Sequence, residues 1–307
     1  MTTLSAGPAG RPGRPFGTVL TAMVTPFTAT GELDVNATGL LAERLVDEGN
    51  NGLVVNGTTG ESPTTSDAEK EMIVRAVVDA VGDRATVVAG VGTYDTAHSV
   101  KLAKAAEKAG AHGALVVTPY YSRPQQDGLL AHFAAVADAS DLPIILYDIP
   151  PRAVVAIAPD TLLRLAEHPR ITAVKDAKGD LYAGSQVMAG SDLAYYSGDD
   201  PLNLPWLSVG GVGVVSIIGH VLGGHLRAMV DAAEAGDYAK ARKLHYDLMP
   251  AHRAMTRCGG GSGLVFAKAA LRLRGFGVGD PRLPQIPATA RQTELIAQDL
   301  DEIGPLL

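Results

Sequence analysis

The residue best placed for covalent chemistry is Lys175, which closes the apolar run Ile171-Thr172-Ala173-Val174 and is followed at once by Asp176-Ala177-Lys178-Gly179. A β-branched run of that length reads as a buried strand whose last residue sits where strand meets loop. At the mouth of an apolar core an ammonium loses hydration, which favours the free amine. A free amine can attack a ketone and form a Schiff base, making the neighbouring carbon a nucleophile. A single lysine at a strand end is ordinarily a snorkelling cation, so its surroundings decide. The other lysines lack this setting. Lys101, Lys104 and Lys108 recur at helical spacing, Lys240 and Lys243 are i,i+3 neighbours, and Lys70 lies on a further polar helix face, all read as solvated. Lys268, inside an apolar helix late in the chain, is the weaker rival for a reactive amine.

Elements able to hold such a lysine alternate from about Gly17 to about Ala235. Strands are expected at Val19–Val24, Gly52–Val55, Thr86–Ala89, Ala114–Val117, Ile144–Leu146, Ile171–Val174, Leu193–Tyr196 and Val212–Ile217. Helical patterns such as Ala37–Asp47, Asp67–Val81, Thr96–Ala109 and Gly128–Ala139 lie between them. Eight strands, each followed by a helix, specify an α/β fold of the closed (β/α)8 or TIM-barrel type. An open doubly wound sheet would show fewer units and a glycine-rich fingerprint after its first strand; here that strand runs into Thr25-Pro26. After Gly236 the alternation stops, and helices are expected over Tyr238–Arg257, Leu264–Leu273 and Thr289–Ile303. The expected organisation is a frayed tail over 1–16, a barrel over 17–235 and a C-terminal helical extension over 236–307.

In such a barrel the chemistry sits at the C-terminal ends of the strands, and those ends are polar here. Strand two ends at Asn56-Gly57-Thr58-Thr59-Gly60-Glu61-Ser62, where hydroxyls and free backbone N–H groups before a helix suit a carboxylate. A glycine turn with a helix cap is the plainer alternative. Strand four ends at Thr118-Pro119-Tyr120-Tyr121 and strand five at Tyr147-Asp148-Ile149-Pro150-Pro151-Arg152. A phenol near an imine can shuttle a proton, and an arginine can clamp a carboxylate through two parallel hydrogen bonds. Taken alone, each tyrosine reads as an amphipathic core residue and Arg152 as a surface ion-pair partner. Strand seven ends at Ser197-Gly198-Asp199-Asp200. No metal is expected: His220 and His225 are five apart, off a common helical face, and no Cys/His cluster occurs. Gly259–Gly263 reads as a loop, since it lacks the Lys-Ser/Thr signature of a phosphate cradle.

Composition narrows the classes. A chain of 307 residues, 46% hydrophobic and 19% charged, is ordinary for a globular protein, and its net charge of -7 argues against an extended nucleic-acid surface. The single cysteine, Cys258, excludes an intramolecular disulfide and fits a reducing compartment. Met1 to Gly17 contain no apolar signal-peptide core, and no later run approaches membrane-spanning length, so a cytoplasmic location without membrane contact is the expectation.

These same strand-end segments carry a resemblance. The motifs around Gly57–Ser62, Val117–Tyr121, Leu146–Pro150, Val174–Ala177 and Ser197–Asp200, in order, resemble those of the 4-hydroxy-tetrahydrodipicolinate synthase (dihydrodipicolinate synthase) family, which stands with N-acetylneuraminate lyase among the class I pyruvate aldolases. The similarity runs from about Gly17 to the C-terminus. Thr21–Phe27 is similar to the family's first strand, and Gly279–Pro284 to its actinobacterial branch. The resemblance implies a Schiff base between Lys175 and pyruvate, proton relay by Tyr147, and a hydroxyl link through Thr58 to Tyr121, which reaches into a neighbouring subunit's site. It implies that Thr59 holds the pyruvate carboxylate, that Gly198 and Val215 line the pocket, and that Arg152 receives the carboxylate of L-aspartate 4-semialdehyde. It further implies a homotetramer built from two dimers and no cofactor. Ala153 stands where a hydroxyl residue is common, and His220 where many members have asparagine. Lysine-sensitive members bind their end product near the Gly57–Ser62 turn through a carboxylate and histidines. At those positions this chain has His98, Asp67 and Lys70, with Pro63 and Tyr94 also changed, so little lysine inhibition is expected. A related aldolase or dehydratase of a 2-oxo sugar acid or 4-hydroxy-2-oxo acid is the alternative enzyme, and a non-catalytic carboxylate-binding barrel the alternative class.

Overall fold

The structure is a computed structural model describing residues 13–259 and 263–303. Eight parallel strands hydrogen-bond in sequence order and close on themselves, β8 pairing back to β1 through Val19↔Val214, Leu20↔Val215 and Thr21↔Ser216. They are β1 (Val19–Ala22), β2 (Gly52–Val55), β3 (Thr86–Gly90), β4 (Gly113–Val117), β5 (Ile144–Asp148), β6 (Ile171–Asp176), β7 (Ala194–Ser197) and β8 (Gly213–Ser216). The first helices are α1 (Val35–Asp47), α2 (Asp67–Val81), α3 (Thr96–Lys108), α4 (Gln126–Ala137), the short α5 (Pro150–Ala153), α6 (Pro159–Leu165) and α7 (Leu181–Gly190). They are followed by α8 (Asn203–Ser208), α9 (Gly219–Glu234), α10 (Tyr238–Asp247), α11 (Met249–Thr256), α12 (Gly263–Leu273) and α13 (Ala290–Asp301). This is a TIM barrel with C-terminal helices. None of the described helices is long and apolar enough to cross a membrane.

The strands read as continuous apolar runs because both faces are covered. One parity points inward: Leu20, Ala22, Val54, Val88, Leu115, Ile145, Tyr147, Ala173, Ala194, Tyr196 and Val215 fill the barrel. The other parity, including Val19, Leu53, Val87, Leu146 and Val174, packs against the helices. Lys175 follows Ala173 at a spacing of two, so the strand period aims it into the barrel mouth.

Several boundaries differ from the sequence expectation. Strands β5 and β6 run two residues further, because Tyr147↔Lys175 and Asp148↔Asp176 keep the register; Lys175 therefore lies within a strand. The helix expected over Tyr238–Arg257 divides at Leu248, where Pro250 occupies the first turn of α11. Proline is tolerated in a first turn and breaks a helix interior. The tail expected over 1–16 falls mostly outside the described residues, but Phe16 is core: it is fully buried in the interior cluster, its N–H meets the Tyr196 hydroxyl at 3.3 Å, and its ring packs where Gly113 has no side chain.

Candidate active site

Lys175 and Tyr147 are neighbours across the β5–β6 pair, each only 5% exposed. The Lys175 Nζ stands over the face of the Tyr147 ring, 4.2 Å from its centroid. Room for the lysine stem comes from Gly198 at the end of β7. A Cβ there would sit 2.9 Å from Lys175 Cγ and 3.0 Å from Cε. The Gly198 N–H donates to the Asp176 carbonyl at 2.7 Å, which holds this close approach. Val215 points into the same interior from β8. Thr118 donates its N–H to the Tyr147 carbonyl at 3.0 Å and its hydroxyl to the same oxygen at 3.2 Å.

The turn after β2 is tightly folded. Asn56 and Glu61 both take positive φ, 56° and 59°, unusual for residues with a side chain. Ser62 N–H reaches Gly57 O and Glu61 N–H reaches Thr58 O, each at 3.2 Å. Gly60 lies against β1: its carbonyl accepts from Thr25 Oγ1 at 2.6 Å, and a Cβ would meet Asn56 N and Met23 O at 3.1 Å. Thr59 is buried and Thr58 half-buried. A cavity of about 210 Å³ joins this turn to β5, lined by Gly57, Thr58, Leu115, Tyr120, Tyr147 and Arg152 among others. That volume lies below the range of drug-sized pockets and suits a small acid.

The structure thus brings Lys175, Tyr147, Gly198 and Val215 together and brings Thr58, Tyr147 and Arg152 to one cavity, which Lys175 and the buried Thr59 do not line. Arg152 stands on the exposed α5 at its rim. Tyr121 is set apart. It is 91% exposed on a backbone with φ of 73° and does not line the cavity.

Lys70 differs from expectation, whereas Lys268 lies in an apolar helix as expected. Lys70 is buried, and its ammonium caps the turn, donating to Ser62 O at 2.8 Å, Thr65 Oγ1 at 2.9 Å and Thr65 O. Its neighbours Glu69 and Glu71 made the face look solvated, but the carbonyls lie within reach of a folded-back side chain. Lys268 is fully buried and paired with Glu61 at 2.8 Å, which leaves it no access to a ketone in the barrel mouth. Asp67 is held by His98 at 2.9 Å and Lys101 at 2.8 Å. His220 is a stitch between strand ends: Nε2 accepts from Val24 N–H at 3.0 Å while Nδ1 meets Ile217 O at 2.7 Å. Burial lowers its pKa to about 4, so the ring is neutral.

Sequence reasoning gave no part to Asp148, Asp176 and Lys178, which lie directly behind the Tyr147–Lys175 pair on the opposite parity. Asp148 and Asp176 are register partners and both are buried. Lys178 Nζ is 3.3 Å from Asp148 Oδ2. Asp148 Oδ1 accepts from Ile157 N–H at 3.2 Å, and Asp176 Oδ1 from Lys178 and Gly179 N–H at 2.9 and 2.8 Å. Burial pushes the Asp148 carboxyl up to about 6, against the opposing pull of Lys178, and burial also raises Asp176. The available signal was an aspartate directly following each inward-facing reactive residue on a buried strand.

A model of the dihydrodipicolinate synthetase family matches residues 15–303. The chain belongs to that family. It is 61% identical over 285 residues to the 4-hydroxy-tetrahydrodipicolinate synthase of Mycolicibacterium gilvum, covering 93% of each protein. Among solved structures, a dihydrodipicolinate synthase from Bacillus anthracis is 40% identical with a TM-score of 0.89, over 93% of this chain and 98% of that one. The chloride-inhibited dihydrodipicolinate synthase of Acinetobacter baumannii, solved in complex with pyruvate, is 33% identical with a TM-score of 0.89, over 94% and 99%. Among family members, then, the likeness extends over the whole barrel and most of the C-terminal helices.

Proposed function

We propose that this family member works as a 4-hydroxy-tetrahydrodipicolinate synthase, joining pyruvate to L-aspartate 4-semialdehyde through a Schiff base on Lys175. The amine attacks the pyruvate C2 carbonyl, and water leaves as the imine forms. Loss of a methyl proton gives the enamine, whose carbon adds to the semialdehyde carbonyl. The amino group of the adduct then attacks the imine carbon, closing the ring and releasing Lys175. The net reaction expels one water. Tyr147 relays the protons, and the Lys175 amine seated over its ring face is the single observation that carries this reading.

Thr59 and the backbone N–H groups of the β2 turn take the pyruvate carboxylate, and Gly198 and Val215 shape the space around the imine. Arg152, at the cavity rim, receives the semialdehyde carboxylate and separates this activity from that of a sugar-acid lyase. Thr58 links Tyr147 to Tyr121 of a neighbouring subunit in a dimer, two dimers forming the tetramer. The extreme exposure of Tyr121 on strained backbone supports an interface role.

Purified protein given pyruvate and borohydride should gain the mass of one reduced pyruvate on Lys175. Lys175→Ala should abolish both the adduct and turnover with the semialdehyde. Labelling at Lys268, or faster turnover of pyruvate with N-acetylmannosamine than with the semialdehyde, would contradict the assignment.

A further inference from the structure

The β2 turn is anchored from far along the chain. Glu61 and Lys268 form an ion pair at 2.8 Å with side chains 2% and 0% exposed. Glu61 Oε2 accepts the backbone N–H of Arg282 at 2.8 Å, and Lys268 Nζ also donates to Asp280 O at 3.2 Å. Phe27, just beyond β1, is flanked by both cations, with Lys268 Nζ 4.4 Å and the Arg282 guanidinium 4.2 Å from its ring centroid. Arg282 continues to Glu69 at 2.6 and 3.1 Å, Thr64 O at 2.8 Å and Gly31 O at 2.9 Å. One network therefore fastens the outlets of β1 and β2 to α12 and the segment after it.

A fully buried ion pair is weak support for stability, because apolar residues of similar volume often do as well. It is more useful for fixing one geometry. What it fixes here is Glu61, a residue with left-handed φ whose N–H closes on Thr58 O. Without its side-chain anchor a glutamate has no reason to hold that conformation. Thr58 and Thr59 and the free N–H groups of the turn take their direction from it.

We infer that Glu61 and Lys268 are positioning residues for the carboxylate-binding turn, so that their loss shows in pyruvate capture and not in handling of the semialdehyde. The inference rests on the proposed role of this turn in holding pyruvate. Glu61→Gln, Lys268→Met, the double variant and Thr59→Val should be compared by steady-state kinetics and by borohydride trapping across pyruvate concentrations. Each single variant of the pair should raise the pyruvate KM about tenfold or more, with the semialdehyde KM and kcat at saturating pyruvate within about threefold of the parent. The double variant should be about as impaired as the worse single, as expected of two groups acting as a unit. Should the singles fail to fold because one charge is left buried alone, the charge-neutral double variant decides. An unchanged pyruvate KM in any folded variant of the pair, or an equal loss in both substrates' KM values and in kcat, overturns the inference. Thr59→Val separates the two levels. If it leaves pyruvate capture untouched, the role of the turn itself is wrong; if it weakens capture while the Glu61 and Lys268 variants do not, only the positioning inference fails.

Discussion

The two sides of the cavity follow opposite electrostatic plans. On the β2 side every carboxylate near the turn has a cation of its own: Glu61 has Lys268 and Glu69 has Arg282. Hydrogen bonds from Arg282 hold the Glu69 carboxyl down to about 2. On the β5–β6 side, Asp148 and Asp176 are buried as register partners with Lys178 close to one of them, and burial lifts Asp148 to about 6. A balanced network keeps its charge through the neutral range and suits a fixed clamp. An acid-rich one titrates just below neutrality, directly behind the residues proposed to move protons.

The sharpest break between the sides should come from Arg152→Ala. A hydrogen bond to a charged group contributes about 1.5–3 kcal/mol, so kcat/KM for the semialdehyde should fall roughly ten- to 150-fold. Borohydride trapping of pyruvate on Lys175 should persist, because the carboxylate clamp proposed for pyruvate lies on the other side. Equal damage to trapping and to turnover would make Arg152 structural.

Next in size is the pH response. The folded protein binds the Asp148 proton more tightly than an unfolded chain does, about 6 against 3.8. Its stabilising contribution is therefore complete below about pH 3.8 and is lost as pH rises through about 6. Between pH 5 and 8 the parent should lose about 1–2 kcal/mol more than Asp148→Asn, measured as the difference between their urea midpoints at the two pH values. Glu69 works in the opposite sense: its contribution is present above about pH 4.5 and is lost as pH falls toward 2. Glu69→Gln should flatten the acid limb of the stability curve and leave the neutral range unchanged. Matching slopes in parent and Asp148→Asn would erase the contrast between the two sides.

The smallest effect concerns L-lysine. Asp67, close to the β2 turn, is already bound by Lys101 and His98, which lower its pKa. The buried Lys70 ammonium is engaged by carbonyls of the same turn. With its anion neutralised, this region has little to offer an incoming ammonium. A titration to millimolar L-lysine should change the rate by less than about twofold. Cooperative inhibition at sub-millimolar concentration would show that Asp67 can leave its partners.

Local patterns made much of this legible. Short apolar runs marked all eight strands, and Lys175 and Tyr147 stood out as candidates because each ends such a run. Their pairing followed once the barrel order was set. What escaped was partnership at long range. Glu61 and Arg282 are 221 positions apart, and nothing beside either residue signals the other. Lys70 looked solvated because its flanking glutamates are, while its own ammonium folds back onto a turn whose shape the sequence does not spell out. Phe16 sits in a Gly/Pro-rich stretch that reads as frayed, although its aromatic ring belongs to the floor of the barrel. Arg152 was expected as a carboxylate clamp, but its exposure was not legible: Pro150 and Pro151 start the short α5 that sets it at the cavity rim.

The anchor on the β2 turn has a consequence for the order of assembly. Chains emerge from their N-terminus and fold as they emerge. β8 ends at Ser216, whereas Lys268 and Arg282 lie well beyond it. A nascent chain halted before Lys268 already holds every barrel strand and the amine at Lys175, yet its Glu61 has no cation to close upon. The proposed nucleophile is thus in hand before the proposed grip on pyruvate is set, and completion of the last helices is the step expected to make the newborn barrel competent.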